Sequence, residues 1–199
     1  MFKYIFALLL FTTPAIAKDF DYYLLALSWS PAYCAIHNNQ EKQCLQHRSF
    51  ILHGLWPQYK AGGYPHDCNK GDSSWVSEET INHMMDVMPK KNLIIHEYKK
   101  HGTCTGLSPE EYFEKARRAY QKITIPKELK SVKDDQTLGA SELTDMFVRA
   151  NPKLAAEDIQ LVCVGNWLSE IRVCLSKDLT PTSCTEANKC YGDIFVRKQ

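Results

Sequence analysis

The sequence of 199 residues has almost no excess charge, because 24 lysine and arginine residues are balanced by 23 aspartate and glutamate residues. This balance excludes a polybasic protein that holds nucleic acid by bulk charge alone, and it also excludes an acidic solvating chain. Low-complexity segments and repeat periods are missing too, which argues against extended disorder and against a solenoid. The length then favours one globular domain.

Long apolar runs are missing, apart from a short one at the N terminus. A basic residue precedes the apolar run from Ile5 to Phe11, and Ala15-Ile16-Ala17 follows as a small-x-small cleavage site. This order is typical of a secretory signal peptide, and the run is too short to span a bilayer. A buried N-terminal strand or helix is the alternative. We predict a signal peptide at 1–17 and a single domain at 18–199 that is periplasmic or secreted and has no membrane segment after cleavage.

The cysteines lack the C-x-x-C spacing that structural zinc sites favour, and the closest two are Cys184 and Cys190. Their number is even, and an exported chain meets an oxidising compartment. We therefore expect four disulfides and no metal, with the pairing left open by the sequence. The eight cysteines are Cys34, Cys44, Cys68, Cys104, Cys163, Cys174, Cys184 and Cys190.

Strand-like stretches lie near both ends of the chain, and helical patterns fill its middle. The predicted strands are 21–30, 48–53, 159–164, 168–176 and 193–196. The predicted helices are 77–88, 92–102, one that begins at Ser108, and 141–150. Residues 56–74 are rich in Gly, Pro, Asp, Asn and Ser, which predicts a long surface loop. This order indicates an α+β fold with a central antiparallel sheet flanked by several helices.

Two histidine clusters stand out: His53-Gly54-Leu55-Trp56-Pro57-Gln58 and His96-Glu97-Tyr98-Lys99-Lys100-His101-Gly102-Thr103-Cys104. The second cluster is not a zincin motif, which needs two histidines four residues apart. His96 and His101 are five residues apart, so on a straight helix they lie about 140° from each other. This spacing argues against a metal-dependent phosphodiesterase, which is kept as one alternative.

Other pairs in the second cluster do share a helix face. Glu97 and His101 are four residues apart, as are His96 and Lys100. A carboxylate raises the pKa of a neighbouring histidine and orients its ring, whereas a lysine supplies positive charge to an anion. The cluster therefore predicts phosphoryl transfer without a metal, and a solvated helix face with ordinary charge pairs is the alternative.

Both clusters resemble the active-site segments of one family. F-I-L-H-G-L-W-P at 50–57 and H-E-Y-K-K-H-G-T-C at 96–104 are similar to the two active-site segments of the secreted, metal-independent ribonucleases of the ribonuclease T2 family. L-A-L-S-W-S-P-A-Y-C resembles the family's first strand, and C-V-G-N-W-L-S-E-I-R-V-C-L resembles its late hairpin. The resemblance spans nearly the whole chain after the predicted signal peptide.

The resemblance implies roles for individual residues. The positions that match catalytic residues are His53, Glu97 and His101. The positions that match phosphate contacts are His96 and Lys100. Trp56 matches a base-stacking position, and either Tyr64 or Tyr59 would complete the stacking surface. Tyr98 departs from the tryptophan of many members, and Gln58 departs near the base site, which leaves base preference open.

The resemblance also implies an enzymatic activity and a set of disulfide bonds. We expect an endoribonuclease without a cofactor that acts as a monomer on RNA and forms 2′,3′-cyclic phosphate ends, with His101 as base, helped by Glu97, and His53 as acid. A catalytically silent secreted binding protein on the same fold is the non-enzymatic alternative. The implied disulfides are Cys68–Cys104, Cys163–Cys190 and Cys174–Cys184, which leaves Cys34 with Cys44.

Overall fold

The computed structural model describes residues 19–37, 40–69, 74–186, 188 and 190–199. The predicted signal peptide at 1–17 lies outside these residues. The strands are β1 (Tyr22–Trp29), β2 (Phe50–Gln58), β3 (Gln136–Gly139), β4 (Ile159–Val164), β5 (Trp167–Leu175) and β6 (Asp193–Val196). The α-helices are α1 (Ser30–Ile36), α2 (Lys42–Leu45), α3 (Glu78–Met84), α4 (Lys91–Lys100), α5 (Pro109–Gln121) and α6 (Ala140–Ala150).

The strands form one sheet in the order β2-β1-β5-β6-β3, with β4 paired to β5. All the strand pairs are antiparallel except β5 with β6, which run parallel through a single residue pair. The structure thus confirms the predicted α+β class and its mostly antiparallel central sheet. β1 lies between β2 and β5, so it links the strand of the first histidine cluster to the late part of the chain.

Apolar residues cover both faces of β1. Tyr23, Leu25 and Leu27 face the main core with residues of the helices, whereas Tyr22 and Leu24 face a second, smaller cluster. A strand that is buried on both faces has a continuous apolar sequence rather than an alternating one. This explains why apolar and polar residues do not alternate in the predicted strand at 21–30.

The helices of the middle segment cover the face of the sheet that carries the main core. The predicted start of α5 is confirmed, because Ser108 and Glu111 form a reciprocal capping box. In the same helix, the Tyr112 hydroxyl donates a 2.9 Å hydrogen bond to the carbonyl of Leu55 in β2. This buried bond fixes α5 against the strand that carries the first histidine cluster.

Several predicted boundaries are wrong. β2 continues to Gln58, so the predicted loop begins later than residue 56 and His53 lies within the strand rather than at its end. α3 ends at Met84 instead of continuing to residue 88. α4 begins at Lys91, so Asn92 is inside the helix and does not cap it. α1, α2 and β3 were not predicted. α2 and β3 have only four residues each, which is too few for a periodic pattern.

Four disulfides close the fold, and their pairing is the one that the resemblance implies: Cys34–Cys44, Cys68–Cys104, Cys163–Cys190 and Cys174–Cys184. The bond between Cys68 and Cys104 joins the loop after β2 to the 3₁₀ turn Gly102–Cys104 that follows α4. The backbone N–H of Asp67 also donates to the carbonyl of Lys100 at 2.8 Å. These two links hold the loop against the end of the helix that carries the second histidine cluster.

Candidate active site

A β-bulge presents His53 to the site. Ala26 of β1 pairs with Gly54, and the next residue, Leu27, pairs with Leu52, so His53 is an extra residue in β2. A bulge of this kind redirects a side chain and bends the strand. The His53 side chain is 30% exposed, whereas its strand neighbours Leu52 and Gly54 are buried. The bulge thus gives one histidine of a buried strand access to a substrate.

Two carboxylates hold the His53 ring from both sides. Nδ1 of His53 donates to Oε1 of Glu170 in β5 at 2.5 Å, and Nε2 lies 3.5 Å from Oε1 of Glu97 in α4. The Ser28 hydroxyl donates to the same Glu170 oxygen at 3.3 Å. Burial alone would lower the pKa of His53, but the Glu170 hydrogen bond and the charge of Glu97 raise this pKa above its ordinary value.

Arg172 holds Glu170 in place. Nε of Arg172 donates to Oε2 of Glu170 at 2.8 Å, and Nη2 forms an ion pair with the same oxygen at 2.7 Å, which leaves Oε1 for His53. Burial acts to raise the pKa of Glu170, but the His53 hydrogen bond and the two positive charges lower this pKa to about 2. Glu170 is therefore ionised throughout the range in which a histidine titrates, and it favours the protonated form of His53.

Glu97 is buried at the point where α4 meets β2. The indole Nε1 of Trp56 donates to Oε2 of Glu97 at 2.6 Å, while Oε1 faces His53. Burial raises the pKa of Glu97 to about 7, and the charge of His53 and the Trp56 hydrogen bond act in the opposite direction. Glu97 therefore fixes the tryptophan and the histidine of the first cluster relative to α4.

Gly54 makes room for this contact. A Cβ at position 54 would overlap Oε2 of Glu97 and Nε1 of Trp56, the two atoms that share the hydrogen bond. Because both side chains are held in place, they could make space only by breaking that bond. The glycine between His53 and Leu55 is thus required by the close approach of α4 to β2.

His101 lies just beyond the last residue of α4 and is buried. Its ring stacks on Trp56, with centroids 5.2 Å apart and planes 29° apart. Nδ1 has no hydrogen-bond partner among the described residues. Burial and the nearby positive charges of Lys100 and His96 together lower the pKa of His101 to about 3. This histidine is therefore neutral where His53 is protonated.

The predicted carboxylate–imidazole pair of Glu97 and His101 is wrong. The regular helix ends at Lys100, and the backbone at His101 has φ −117°, so the simple four-residue spacing does not apply there. The Glu97 carboxylate contacts Trp56 and His53 instead. In consequence the pKa of His101 is lowered, and it is the pKa of His53 that neighbouring carboxylates raise.

The structure also brings the predicted phosphate-contacting residues to the same end of α4. Burial and the charge of Lys100 lower the pKa of His96. Positive charge on His96 and Lys100 in turn lowers the pKa of His101, which places both groups within electrostatic reach of that ring. The region between the two histidine clusters therefore favours an anion.

The two predicted stacking rings have different surroundings. The Trp56 ring already contacts His101, and the guanidinium carbon of Arg172 lies 4.9 Å from its centroid. Tyr64 is 43% exposed, and its ring lies 5.6 Å from that of His101. The alternative, Tyr59, packs against the main core. Tyr64 is thus the more open ring beside the histidines.

Sequence reasoning missed Ser28, Glu170 and Arg172. A signal was present, because Glu170 and Arg172 are charged residues two positions apart in a strand that is otherwise apolar except for Ser169, and alternate residues of a strand share a face. The sheet register places Ser28 opposite Glu170 and Ala26 opposite Arg172. The sequence does not state this register, so the partner of His53 could not be identified.

Two broader properties concern metals and membranes. Within the described ranges, no three histidine, cysteine, aspartate or glutamate side chains are grouped so that they could hold a metal ion. None of the helices in the described part of the chain is both long and apolar enough to cross a membrane.

Comparison with known proteins matches this chain to ribonucleases. A family model described as the ribonuclease T2 family matches residues 20–184. A ribonuclease of Aeromonas hydrophila is 42% identical over 110 residues, covering 55% of this chain and 49% of that protein. A probable ribonuclease of Haemophilus influenzae is 31% identical over 149 residues, covering 67% and 52% respectively. The chain thus spans about half the length of these two relatives.

Solved structures share the fold. The crystal structure of RNase NT in complex with 5′-AMP superposes with a TM-score of 0.72 at 19% identity, covering 92% of this chain and 100% of that chain. An RNase-related protein from Calystegia sepium superposes with a TM-score of 0.72 at 21% identity, covering 89% and 97%.

The close approach at Gly54 yields a testable prediction. Gly54→Ala breaks the buried Trp56–Glu97 hydrogen bond, so we expect the free energy of unfolding to fall by about 1–3 kcal/mol. Urea unfolding followed by tryptophan fluorescence measures the change. Gly139→Ala is the matched control, because its Cβ would meet only Cβ of Glu142 at an ordinary 3.9 Å. Equal stability of the two variants would contradict the account of the contact.

Proposed function

Because the chain belongs to the ribonuclease T2 family, we propose that it is a secreted endoribonuclease that cleaves single-stranded RNA by transesterification. The observation that carries the proposal is the contrast between two histidines of one site, because His53 lies between the carboxylates of Glu170 and Glu97 whereas His101 is buried against Trp56. The pKa of His53 is raised by two carboxylates, whereas that of His101 is lowered to about 3 by burial and nearby cations. Such a pair supplies an acid and a base at the same pH.

The proposed reaction uses a nucleophile that RNA itself carries. His101, which is neutral, accepts the proton of the 2′-hydroxyl as that oxygen attacks the adjacent phosphorus. The bond from phosphorus to the 5′-oxygen breaks, and protonated His53 donates its proton to the leaving oxygen. The products are a 2′,3′-cyclic phosphate and a free 5′-hydroxyl, and slow hydrolysis opens the ring to a 3′-phosphate.

Other residues assist the two histidines. Lys100 supplies positive charge for the extra negative charge on phosphorus in the transition state, and His96 supplies an N–H donor to the same phosphate. Glu97 raises the proton affinity of His53 and fixes Trp56, rather than assisting His101 as the sequence suggested. The nucleobase on the 5′ side of the cleaved bond stacks on Tyr64 and on the exposed part of Trp56.

The proposal extends to the state of the protein in the cell. Four disulfides support an oxidising compartment, either periplasmic or secreted, and an export signal at 1–17. We also propose a monomer with one domain at 18–199, in which a single chain supplies the acid, the base and the cation. The proposed reaction needs no cofactor, since the substrate supplies the nucleophile and the chain supplies the acid, base and cations.

Cleavage of a defined RNA in the presence of EDTA tests the activity. We expect products with 2′,3′-cyclic phosphate ends and no cleavage of DNA of the same sequence, because DNA lacks the 2′-hydroxyl. Mass analysis identifies the ends and the base preference together. His101→Ala is expected to lower the rate by a factor of about 10² to 10⁴ if this residue is the base.

Three results would contradict the proposal in different ways. Activity that EDTA removes and zinc restores would indicate a metal-dependent phosphodiesterase. No cleavage between about pH 4 and pH 8, where histidines and carboxylates titrate, would indicate a silent binding protein. Near-normal activity of His101→Ala would remove that residue from the mechanism.

The partner of the proposed acid gives a second prediction. The alkaline limb of the kcat/KM profile reports loss of the proton from His53 in the free enzyme. Glu170→Gln removes the negative hydrogen-bond partner of His53, so the pKa of His53 falls and the alkaline limb is expected to move to lower pH. The acidic limb, set by His101, is expected to stay in place.

A surface glutamate provides the control for this profile. Glu128 is exposed on the 3₁₀ turn Lys127–Leu129, and Glu128→Gln removes the same charge from the protein as Glu170→Gln does. An alkaline limb that does not move in Glu170→Gln, or that moves equally in Glu128→Gln, would contradict the assignment of Glu170 as the residue that positions and charges His53.

A further inference from the structure

A cavity of about 330 Å³ adjoins the candidate active site beside His53. Its wall includes Ser28, His53 and Glu170, and it continues past α1 to Trp167 and Arg197. Trp56, Tyr64 and His101 do not line it. The cavity therefore adjoins His53, the proposed acid, but it is separate from His101, the proposed general base. It is also separate from the surface assigned to the nucleobase on the 5′ side of the cleaved bond. Its volume lies in the range of pockets that hold small ligands.

Flat rings line the cavity. Trp167 is 39% exposed, and Tyr33 and His37 are stacked with ring centroids 3.9 Å apart and planes 6° apart. Tyr33 is held by hydrogen bonds of 3.0 Å to the Glu41 carboxylate, so its ring has a fixed position. Aromatic rings in an open cavity suit a nucleobase, because every base offers a face for stacking whatever its sequence.

One cation at the rim has no carboxylate partner among the described residues. Arg197 lines the cavity, with its guanidinium carbon 5.8 Å from the Trp167 ring centroid. In the described part of the chain, Glu170 is the only carboxylate that lines the cavity, and it is bonded to His53 and Arg172. A phosphate at this rim therefore meets an available positive charge.

The position of the acid gives the direction of the RNA strand. In the proposed function His53 protonates the 5′-oxygen that leaves, so the first nucleoside on the leaving side has its ribose against His53. The cavity extends from His53 to Trp167 and Arg197, so a nucleoside bound against His53 leaves its far part for the next nucleotide in the 3′ direction. The strand before the cleaved bond lies on the other side, at Trp56 and Tyr64.

Resting on the proposed function, we propose that this cavity is a subsite for the second RNA nucleotide on the leaving side of the cleaved bond. The nucleobase of this nucleotide packs against the aromatic wall to which Trp167 and Tyr33 contribute, and its phosphate contacts Arg197. The subsite would favour cleavage within an RNA chain over cleavage next to its 3′ end.

Two trinucleotides of equal length and charge test this subsite. Each has a single 2′-hydroxyl, so only one bond can be cleaved, and they differ in whether the extra nucleotide lies on the leaving side or on the 5′ side of that bond. The measured quantity is the ratio of kcat/KM for the leaving-side isomer to that for the 5′-side isomer. Trp167→Ala is expected to lower this ratio about tenfold through the loss of one stacked base.

Two further variants test the phosphate contact and serve as a control. Arg197→Gln is expected to lower the same ratio in a salt-dependent manner, since it removes a phosphate contact. Tyr191→Ala, which removes an aromatic ring that is 76% exposed and outside the cavity, is expected to leave the ratio unchanged. An unchanged ratio in both Trp167→Ala and Arg197→Gln would overturn the subsite. Failure of the unmodified protein to cleave either isomer would overturn the proposed function instead.

Discussion

The site depends on one buried group, the carboxylate of Glu97. α4 brings it against β2, where one oxygen accepts from Trp56 at 2.6 Å and the other faces His53. A buried carboxylate without partners would be costly, so the strand must supply a donor and a glycine that lets the helix approach. The order His53-Gly54-Leu55-Trp56 meets both needs, since the residues on either side of Gly54 and Leu55 contact Glu97 and the glycine leaves space for it. The packing of α4 on β2 thus explains why the first histidine cluster contains a glycine and a tryptophan at these positions.

The same arrangement separates the two histidines chemically. His53 lies between Glu97 and Glu170, and Arg172 keeps the second of these carboxylates ionised. His101 is buried against Trp56, with cations on its own helix and no ion pair to a carboxylate of the described residues. Two residues of one type therefore take opposite protonation states because their surroundings differ, as the proposed acid–base mechanism requires.

Much of this was predictable from local sequence. The α+β class, most strands, the capping box at Ser108 and the two histidine clusters follow from patterns within about 15 residues, which is the range over which such patterns act. The extent of β2 could not be predicted, because edge strands and bulges tolerate the Pro and Gly that usually indicate a loop, and β2 is an edge strand with a bulge. Glu170 could not be assigned either. It lies 117 residues from His53, and only the register of β1 with β5 and the bulge in β2 bring the two together.

The central claim is that the surroundings of the two histidines move their pKa values in opposite directions. Titration of the imidazole resonances by NMR in the intact, disulfide-bonded protein measures both values, with His53→Ala and His101→Ala serving to assign the signals. The account predicts that His53 titrates above the ordinary value of 6.5 and that His101 titrates far below it, with a pKa of about 3. A pKa of His101 equal to or higher than that of His53 would contradict the assignment of base and acid, and with it the account of the site.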